Sequence, residues 1–436
     1  MTRTDKANMN KRTENRHLLR RIRAGFAAAK ATPYKGLLLG LYLAGAILVW
    51  LLRAHLFSLD TYGLFSPVLG AAIDLLIPLY AVSGLLALLV LMGTPWGGKA
   101  AKEGLQKAGL VNHAGEAPVL IAKRQDTDTP RLTIWEFDPC GIPLNEWEDK
   151  RARVETALNI TIAKMAWGEG RKIIRVYAVP AESDFPVLLR WTDEYLSQDS
   201  FVLVLGESLT GPVTVNLAHI PHILLGGSTG SGKSVLLKLL LMQSLRKGAD
   251  VYIADFKGGV DFPKVWHQKC HMCFTENDLL YTLNQLVAVL ESRKRQLAKT
   301  GCPNLDAYNE ATGEGLPRLI FACDEMAEVL DKTGRSKEDK ERLGQIENKL
   351  STIARLGRAF GLHLILSTQR PDATILPGQI KNNLDFRVCG RADNVLSQII
   401  LDNTSAAEQI PKDTRGHFIT GDGTVFQAYW FEDSSL

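Results

Sequence analysis

Cysteine is scarce in this sequence: Cys140, Cys270, Cys273, Cys302, Cys323 and Cys389 are the only six in 436 residues. The run Cys270-His271-Met272-Cys273, with His267 nearby, is the one grouping that suggests a metal. No second C-x-x-C completes four ligands, so a zinc module is excluded and the run reads as a buried strand leading to Thr275 and the next helix. The absence of any internal repeat or low-complexity tract excludes repeat architectures. Excess positive charge is missing from most of the chain too. The formal net charge is +4, but the first 35 residues hold ten Lys or Arg against Asp5 and Glu14, a net +8 that leaves the remainder at −4. A broadly basic nucleic-acid surface is thereby excluded: contacts to a polyanion must come from a few placed side chains, while the basic leader suits anionic lipid or sets topology.

What the N-terminal region does have is apolar length. Gly36 to Leu52 and Leu75 to Met92 are uncharged runs, each close to the roughly 20 residues that cross a bilayer core. The connection from Arg53 to Asp74 carries one Lys or Arg, whereas Lys99, Lys102 and Lys107 follow the second run. This bias predicts two membrane spans with both termini cytoplasmic and a short outer loop. A long basic leader and an immediate second span argue against a cleaved signal peptide. Asp74 falls at the edge of the second run and is expected at the interface. All six cysteines follow the second span, in a reducing compartment by this topology, so structural disulfides are not expected.

The stretch PHILLGGSTGSGKSVLLKLLL, Pro221 to Leu241, carries the chemistry. Gly227, Ser228, Thr229, Gly230, Ser231, Gly232, Lys233 and Ser234 fit G-x-x-x-x-G-K-[ST], between a buried strand at His222–Leu225 and a helix from Val235. Glycines at that spacing let backbone N–H groups turn inward on phosphate oxygens, and the helix N-terminus adds its dipole. Lys233 is expected to reach the β- and γ-phosphates and Ser234 to ligate Mg²⁺, which makes ATP with Mg²⁺ the expected ligand. The apolar run Leu319–Cys323 ends in Asp324 and Glu325, as a central parallel strand delivering two carboxylates would. Asp324 is assigned to the Mg²⁺ shell and Glu325 to polarising the attacking water. A third strand, Leu362–Leu366, ends in Ser367-Thr368-Gln369-Arg370-Pro371, with Gln369 placed to sense the γ-phosphate; a fourth, Val251–Ala254, ends in Asp255-Phe256-Lys257-Gly258-Gly259. Strands alternating with helical segments such as Leu279–Ala298 predict an α/β fold with a doubly wound parallel sheet.

The blocks PHILLGGSTGSGKSV, YIADFKGG, LIFACDEMAEVL, RAFGLHLILSTQRP and GQIKNNLDFRV, in that order, resemble the motor domain of the FtsK/SpoIIIE DNA translocases, from about Val202 to about Phe431. The resemblance implies a P-loop, RecA-like ATPase motor, a homo-hexameric ring that couples ATP hydrolysis to DNA movement through its pore, and an arginine supplied to each nucleotide from a neighbour. A register on LESRKRQLAKTGCPNLDAYN makes Arg293 the first choice for that arginine, with Arg358 the alternative. The family's chromosomal members carry a lysine and an arginine in a pore loop where Asn394 and Gln398 stand here; Arg370 and, more weakly, Lys381 remain as DNA contacts.

The sequence stops a few residues after GHFITGDGTVFQAYWFED, which resembles the motor's last strands and leaves no residues for the winged-helix module that reads oriented DNA. Two spans and one phosphate loop look like the coupling proteins of Gram-positive conjugative elements, which implies a relaxase–DNA complex and membrane channel proteins as partners. The alternatives are a chromosome-segregation or sporulation translocase, a type VII-like protein secretion ATPase, and a nucleotide-binding anchor without turnover. The expected organisation is a basic cytoplasmic leader over 1–35, two transmembrane helices over 36–96, a linker with short strands over 97–140, a small α+β domain over 141–200 and the motor over 201–436. In the small domain Leu144–Asn159 reads as a charged helical stretch, and Ile160–Trp167 with Ile173–Val179 as a hairpin.

Overall fold

The structure is a computed structural model; it describes residues 18–19, 21–26, 29–30, 33–53, 66–127, 129, 132–181, 188–369 and 377–436. The chain divides into two compact units, Met1–Ser183 and Asp184–Leu436.

In the first unit, helices α1 (Pro33–Leu51) and α2 (Ser66–Met92) are long and apolar enough to cross a membrane. Much of their apolar surface faces outward rather than into a core: Leu37, Leu41, Ile47, Leu75, Leu79 and Leu91 are all exposed. Tyr42 Oη donates to Ala81 O across the pair at 2.9 Å. Arg53 Nε meets Asp74 Oδ1 at 2.7 Å while its guanidinium lies over Trp50, the amphipathic grouping of a helix end. A four-stranded antiparallel sheet follows, in the order β1-β2-β4-β3, from β1 (Val119–Gln125), β2 (Thr133–Asp138), β3 (Ile160–Trp167) and β4 (Ile174–Pro180). Helices α3 (Gly98–Lys107), α4 (Leu144–Asp149) and α5 (Arg151–Leu158) join it around Leu105, Phe137, Trp147 and Val176.

The segment 97–140, expected as a linker with short strands, does hold two strands, but they form half of this sheet and a helix precedes them, so it is part of the small domain. Its strand signal is weak because β1 is an edge strand whose last residues, Lys123, Arg124 and Gln125, are exposed, and whose register shifts between Leu120 and Ala122. The charged helical stretch expected over 144–159 is two helices, broken at Lys150 (φ −101°, ψ 15°).

The second unit is built on one large sheet. Its strands are β5 (Leu189–Arg190), β6 (Val202–Ser208), β7 (Gly211–Asn216), β8 (Ile223–Gly226), β9 (Asp250–Ala254), β10 (His271–Cys273), β11 (Leu319–Cys323), β12 (Leu362–Thr368), β13 (Phe386–Gly390), β14 (His417–Thr420) and β15 (Val425–Trp430). The order is β10-β9-β11-β12-β8-β13-β14-β15-β6-β7, with β5 beside β15. From β10 to β13 the pairing is parallel; from β13 to β7 it is antiparallel, and β5 joins β15 in parallel. Every residue of β8, β11 and β12 is buried, as parallel strands covered on both faces require. Because Trp191 and Tyr195 pack on Tyr429 with ring centroids 5.7 and 4.5 Å away, the segment from 188 to 200 goes with this sheet and not with the small domain.

One face is covered by α6 (Lys233–Arg246) and α7 (Lys264–Lys269), the other by α8 (Glu276–Thr300), α11 (Lys337–Phe360) and α13 (Asn394–Leu401). Between them in sequence lie α9 (Leu305–Thr312), α10 (Met326–Leu330) and α12 (Gly378–Lys381); α14 (Ser405–Gln409) follows α13. Helix α8 starts on a reciprocal capping box of Thr275 and Asp278, and α11 on Ser336 accepting from Asp339 N; each ends at a left-handed glycine, Gly301 and Gly361. Helix α6 is apolar nearly all round. Its one buried amide, Gln243, accepts from Val204 N at 2.8 Å and donates to Val204 O at 2.7 Å, tying β6 to the helix.

Candidate nucleotide-binding site

The loop from Gly227 to Gly232 joins β8 to α6 at the carboxyl edge of the parallel strands, where open α/β sheets bind ligands. Gly227 and Gly232 hold φ of 154° and 100°, and a side chain at Gly227 would lie 2.5 Å from Ser231 Oγ, so only glycine permits this path. Three hydrogen bonds to the loop's main chain fix it from outside. Ser228 N donates to Arg391 O (2.7 Å), Arg391 Nη2 to Thr229 O (2.6 Å), and Gly416 N to Ser231 O (2.9 Å). Inside, Ser231 Oγ is buried without a hydrogen-bond partner among the described residues. The N–H groups of Lys233, Ser234 and Val235, in the first turn of α6, have no intrahelical acceptor. An unpaired hydroxyl and free helix-initial donors in a glycine-lined cradle fit a phosphate.

The acidic pair stands beside the loop. In-register pairing of β11 with β12, Cys323 opposite Leu366, sets Asp324 next to Ser367 and Glu325 next to Thr368. Lys233, 5% exposed, donates through Nζ to Asp324 Oδ1 at 3.0 Å, to Asp324 O and to Ser367 Oγ at 2.8 Å. Ser234 Oγ donates to the same Oδ1 at 3.0 Å, and Lys257 Nζ reaches Oδ2 at 3.2 Å. Glu325, 4% exposed, accepts on Oε1 from Thr368 Oγ1 (2.8 Å) and Ala327 N (3.2 Å), and on Oε2 from Gln369 N (3.0 Å). Gln369 Oε1 in turn accepts from Thr229 Oγ1 at 3.0 Å. One residue therefore bridges the phosphate loop and the second carboxylate. An ammonium, a hydroxyl and the Asp324 carboxylate meet at one point, with Glu325 on the next residue, the donor set that Mg²⁺ with a nucleotide triphosphate requires.

Burial alone would push the Asp324 carboxyl upward, but Lys233, then Lys257 and the Ser234 hydroxyl, outweigh it and hold the group below its ordinary 3.8. Stabilisation from a depressed carboxyl is fully present above its unfolded value and is lost as pH falls through the folded one. Asp324→Asn should accordingly melt below wild type at neutral pH, and the gap should close only below pH 3.8. A gap that closes already between pH 7 and 5 would place the titration elsewhere.

Other expected site residues fall differently. Arg293 is 4% exposed and its guanidinium donates to Phe360 O (2.7 Å) and Pro317 O (2.6 Å) of its own chain. This corrects its assignment as the residue offered to a neighbour, because both ends of the fork are spent inside the fold. Arg358, in the last turn of α11, is exposed and its guanidinium has no partner among the described residues. Lys381 is paired to Asp402 Oδ1 at 2.7 Å, and Arg387 also binds Asp402, so Lys381 is not a free cation. Asn394 and Gln398 are exposed one turn apart on α13. Arg370 lies outside the described residues. Sequence reasoning gave no role to Ser367, Lys257 or Arg391; Arg391 directly follows β13, Ser367 lies at the carboxyl end of β12 and Lys257 stands in the loop just past β9, and that placement was the available signal.

Residues 193–373 match the model of the FtsK/SpoIIIE family. The DNA translocase FtsK of Helicobacter pylori strain J99 is 28% identical over 256 residues, covering 55% of this chain and 29% of that protein. That of Chlorobaculum tepidum is 30% identical over 314 residues, covering 64% and 37%. The chain thus spans about a third of the length of these curated relatives. Among solved structures, the pCW3 conjugation coupling protein TcpA, in its monomer form with ATPγS, is 34% identical with a TM-score of 0.58, covering 78% of this chain and 96% of that one. With the phosphate loop, the acidic pair and the parallel sheet assembled as above, and a relative matched over nearly its whole length, this chain belongs to the FtsK/SpoIIIE family.

Proposed function

We propose that this protein is a membrane-anchored ATPase that drives DNA movement and serves as the coupling protein of a conjugative transfer system. The observation that carries this reading is the similarity to a conjugation coupling protein along 96% of that protein's length, with 78% of this chain taking part. The nucleotide site supports the ATPase part. Lys233 and the loop N–H groups would hold the β- and γ-phosphates, with Ser234 and Asp324 holding the metal; Mg²⁺, when bound, neutralises charge on the β- and γ-oxygens. Glu325 would take the proton of the attacking water, and Gln369, which touches both Glu325 and Thr229, would report the state of the phosphates. Helices α1 and α2 would anchor the protein with both termini cytoplasmic. In this role the motor works as a homo-hexamer and receives a relaxase–DNA complex for delivery to membrane channel proteins.

The test is ATP turnover by the full-length protein in lipid nanodiscs, with single- and double-stranded DNA at increasing salt. DNA should stimulate turnover, and the stimulation should fall steeply with salt because phosphate contacts release counterions. With Asn394 and Gln398 uncharged and Lys381 paired, the residual backbone grip is assigned to Arg370. Arg370→Ala should weaken stimulation several-fold, roughly the loss of one phosphate contact per subunit, while keeping most basal turnover. Stimulation by a secreted protein or its C-terminal peptide, and by neither form of DNA, would replace this reading with protein secretion.

A further inference from the structure

The loop that follows β9 stands at the same site. Strand β9 pairs in register with β11, Ala254 opposite Cys323, so Asp255 and Asp324 leave neighbouring strand ends side by side. Asp255 is 2% exposed; Oδ1 accepts from Lys257 N at 3.0 Å, and Oδ2 has no hydrogen-bond partner among the described residues. Lys257 is the only loop cation near this pair of acids among the described residues, and its ammonium is shared: 3.2 Å to Asp324 Oδ2 and 2.9 Å to Asp261 Oδ2. The two oxygens of Asp324 are therefore divided between two lysines, Oδ1 to Lys233 and Oδ2 to Lys257.

We infer that Lys257 is a displaceable counter-ion for Asp324, competing with the divalent cation for the carboxylate and thereby setting how much metal the site needs to bind nucleotide. This rests on the nucleotide reading above. The physical argument is one of charge and exit. A carboxylate bridging two ammoniums can take a divalent cation into its surroundings only if cationic charge withdraws, since like charges crowded on one acceptor repel. Lys233 has the phosphates to turn to. Lys257 has Asp261, already in contact and four residues along the chain, so giving up Asp324 leaves its ammonium paired. Its carrier permits the move: the side chain is one-third exposed, and Gly258 and Gly259 follow it with φ of 73° and 84°. The exchange of one salt bridge for another within the loop costs little, which is what a competing counter-ion requires.

The test is equilibrium binding of a fluorescent ATP analogue to full-length protein in nanodiscs, titrated with Mg²⁺ from micromolar to tens of millimolar and repeated in EDTA. Lys257→Met removes the competitor, so the Mg²⁺ midpoint should fall about two- to fivefold, the span of a partly exposed ion pair, with affinity in EDTA unchanged. Asp261→Asn removes the alternative partner and leaves Lys257 to Asp324 alone, so the midpoint should rise; this second variant keeps the test decisive should Lys257→Met fold poorly. A Lys257→Met midpoint equal to or above wild type overturns the inference. So does loss of affinity in EDTA, which would make Lys257 a phosphate ligand, or an Asp261→Asn midpoint that is unchanged or lowered. Absence of binding by the wild type at every Mg²⁺ concentration would instead overturn the nucleotide reading itself.

Discussion

Glu325→Gln should bind ATP within about threefold of wild type and lose turnover by at least about a hundredfold, the range of a missing general base. The change is nearly isosteric: Thr368 Oγ1, now a donor to Oε1, can rotate to accept from the new amide, the remaining amide oxygen still accepts from Gln369 N, and the one bond given up is the longer one from Ala327 N. The capacity to receive a proton disappears, while the carboxamide keeps its place. Lys233→Ala should behave differently and lose binding together with turnover. It removes the ammonium that meets Asp324 and Ser367, leaving a buried carboxylate with Ser234 and Lys257 as its remaining side-chain partners outside Ser367. Comparing nucleotide affinity with single-turnover hydrolysis in the two variants separates the roles. Wild-type hydrolysis in Glu325→Gln would remove that residue from the chemistry.

Arg293 and Arg358 should part company just as sharply. Arg293→Ala strips two part-buried carbonyls, Phe360 O and Pro317 O, of a charged donor. Hydrogen bonds of that kind contribute roughly 1.5–3 kcal/mol each, so the motor should melt on the order of 10 °C lower, at about 2–4 °C per kcal/mol for a unit of this size. Arg358→Ala touches an exposed side chain and should leave the melting temperature unchanged within about a degree. If Arg358 reaches a neighbour's nucleotide, the variant should nonetheless lose turnover by about 10³-fold or more. Mixing it with Lys233→Ala subunits should restore part of the activity, since some interfaces then hold both groups. An Arg293→Ala protein with wild-type melting would contradict the buried clamp, and full turnover in Arg358→Ala would dismiss that residue as the donor to a neighbour.

The difference between these arginines shows what a sequence does and does not reveal. Complete local patterns were legible: the phosphate loop, the run Leu319–Cys323 ending in two acids and the fully buried β12 depend on residues adjacent along the chain. Arg293 carried a signal that went unused. It falls in the spacing of Leu279, Leu283, Leu286, Leu290 and Leu297, the buried stripe of α8, so helical periodicity alone places it inward. Lys381 carried no such signal, because its partner Asp402 is brought near by the fold and holds a φ of 61° that the sequence does not announce. Short strands were expected in 97–140, but not their place in a sheet, for a third reason: β1 is an edge strand with a bulge and a charged end, which lacks the alternation that marks a paired neighbour.

The strand order also bears on how this protein is made. Strand β6 finds no neighbour on its inner side until β15 arrives, with Phe426 set beside Ser208, so a ribosome must synthesise roughly two hundred further residues before that half of the sheet can close. The phosphate loop waits as well, since its tie from Gly416 belongs to the same late segment. During translation the nascent motor would therefore expose the apolar strand pair β6 and β7 for much of its elongation time. At about 5–20 residues per second that interval is on the order of ten seconds or more, long enough for chaperone capture, and the ability to hold nucleotide should emerge abruptly, only with the last few dozen residues.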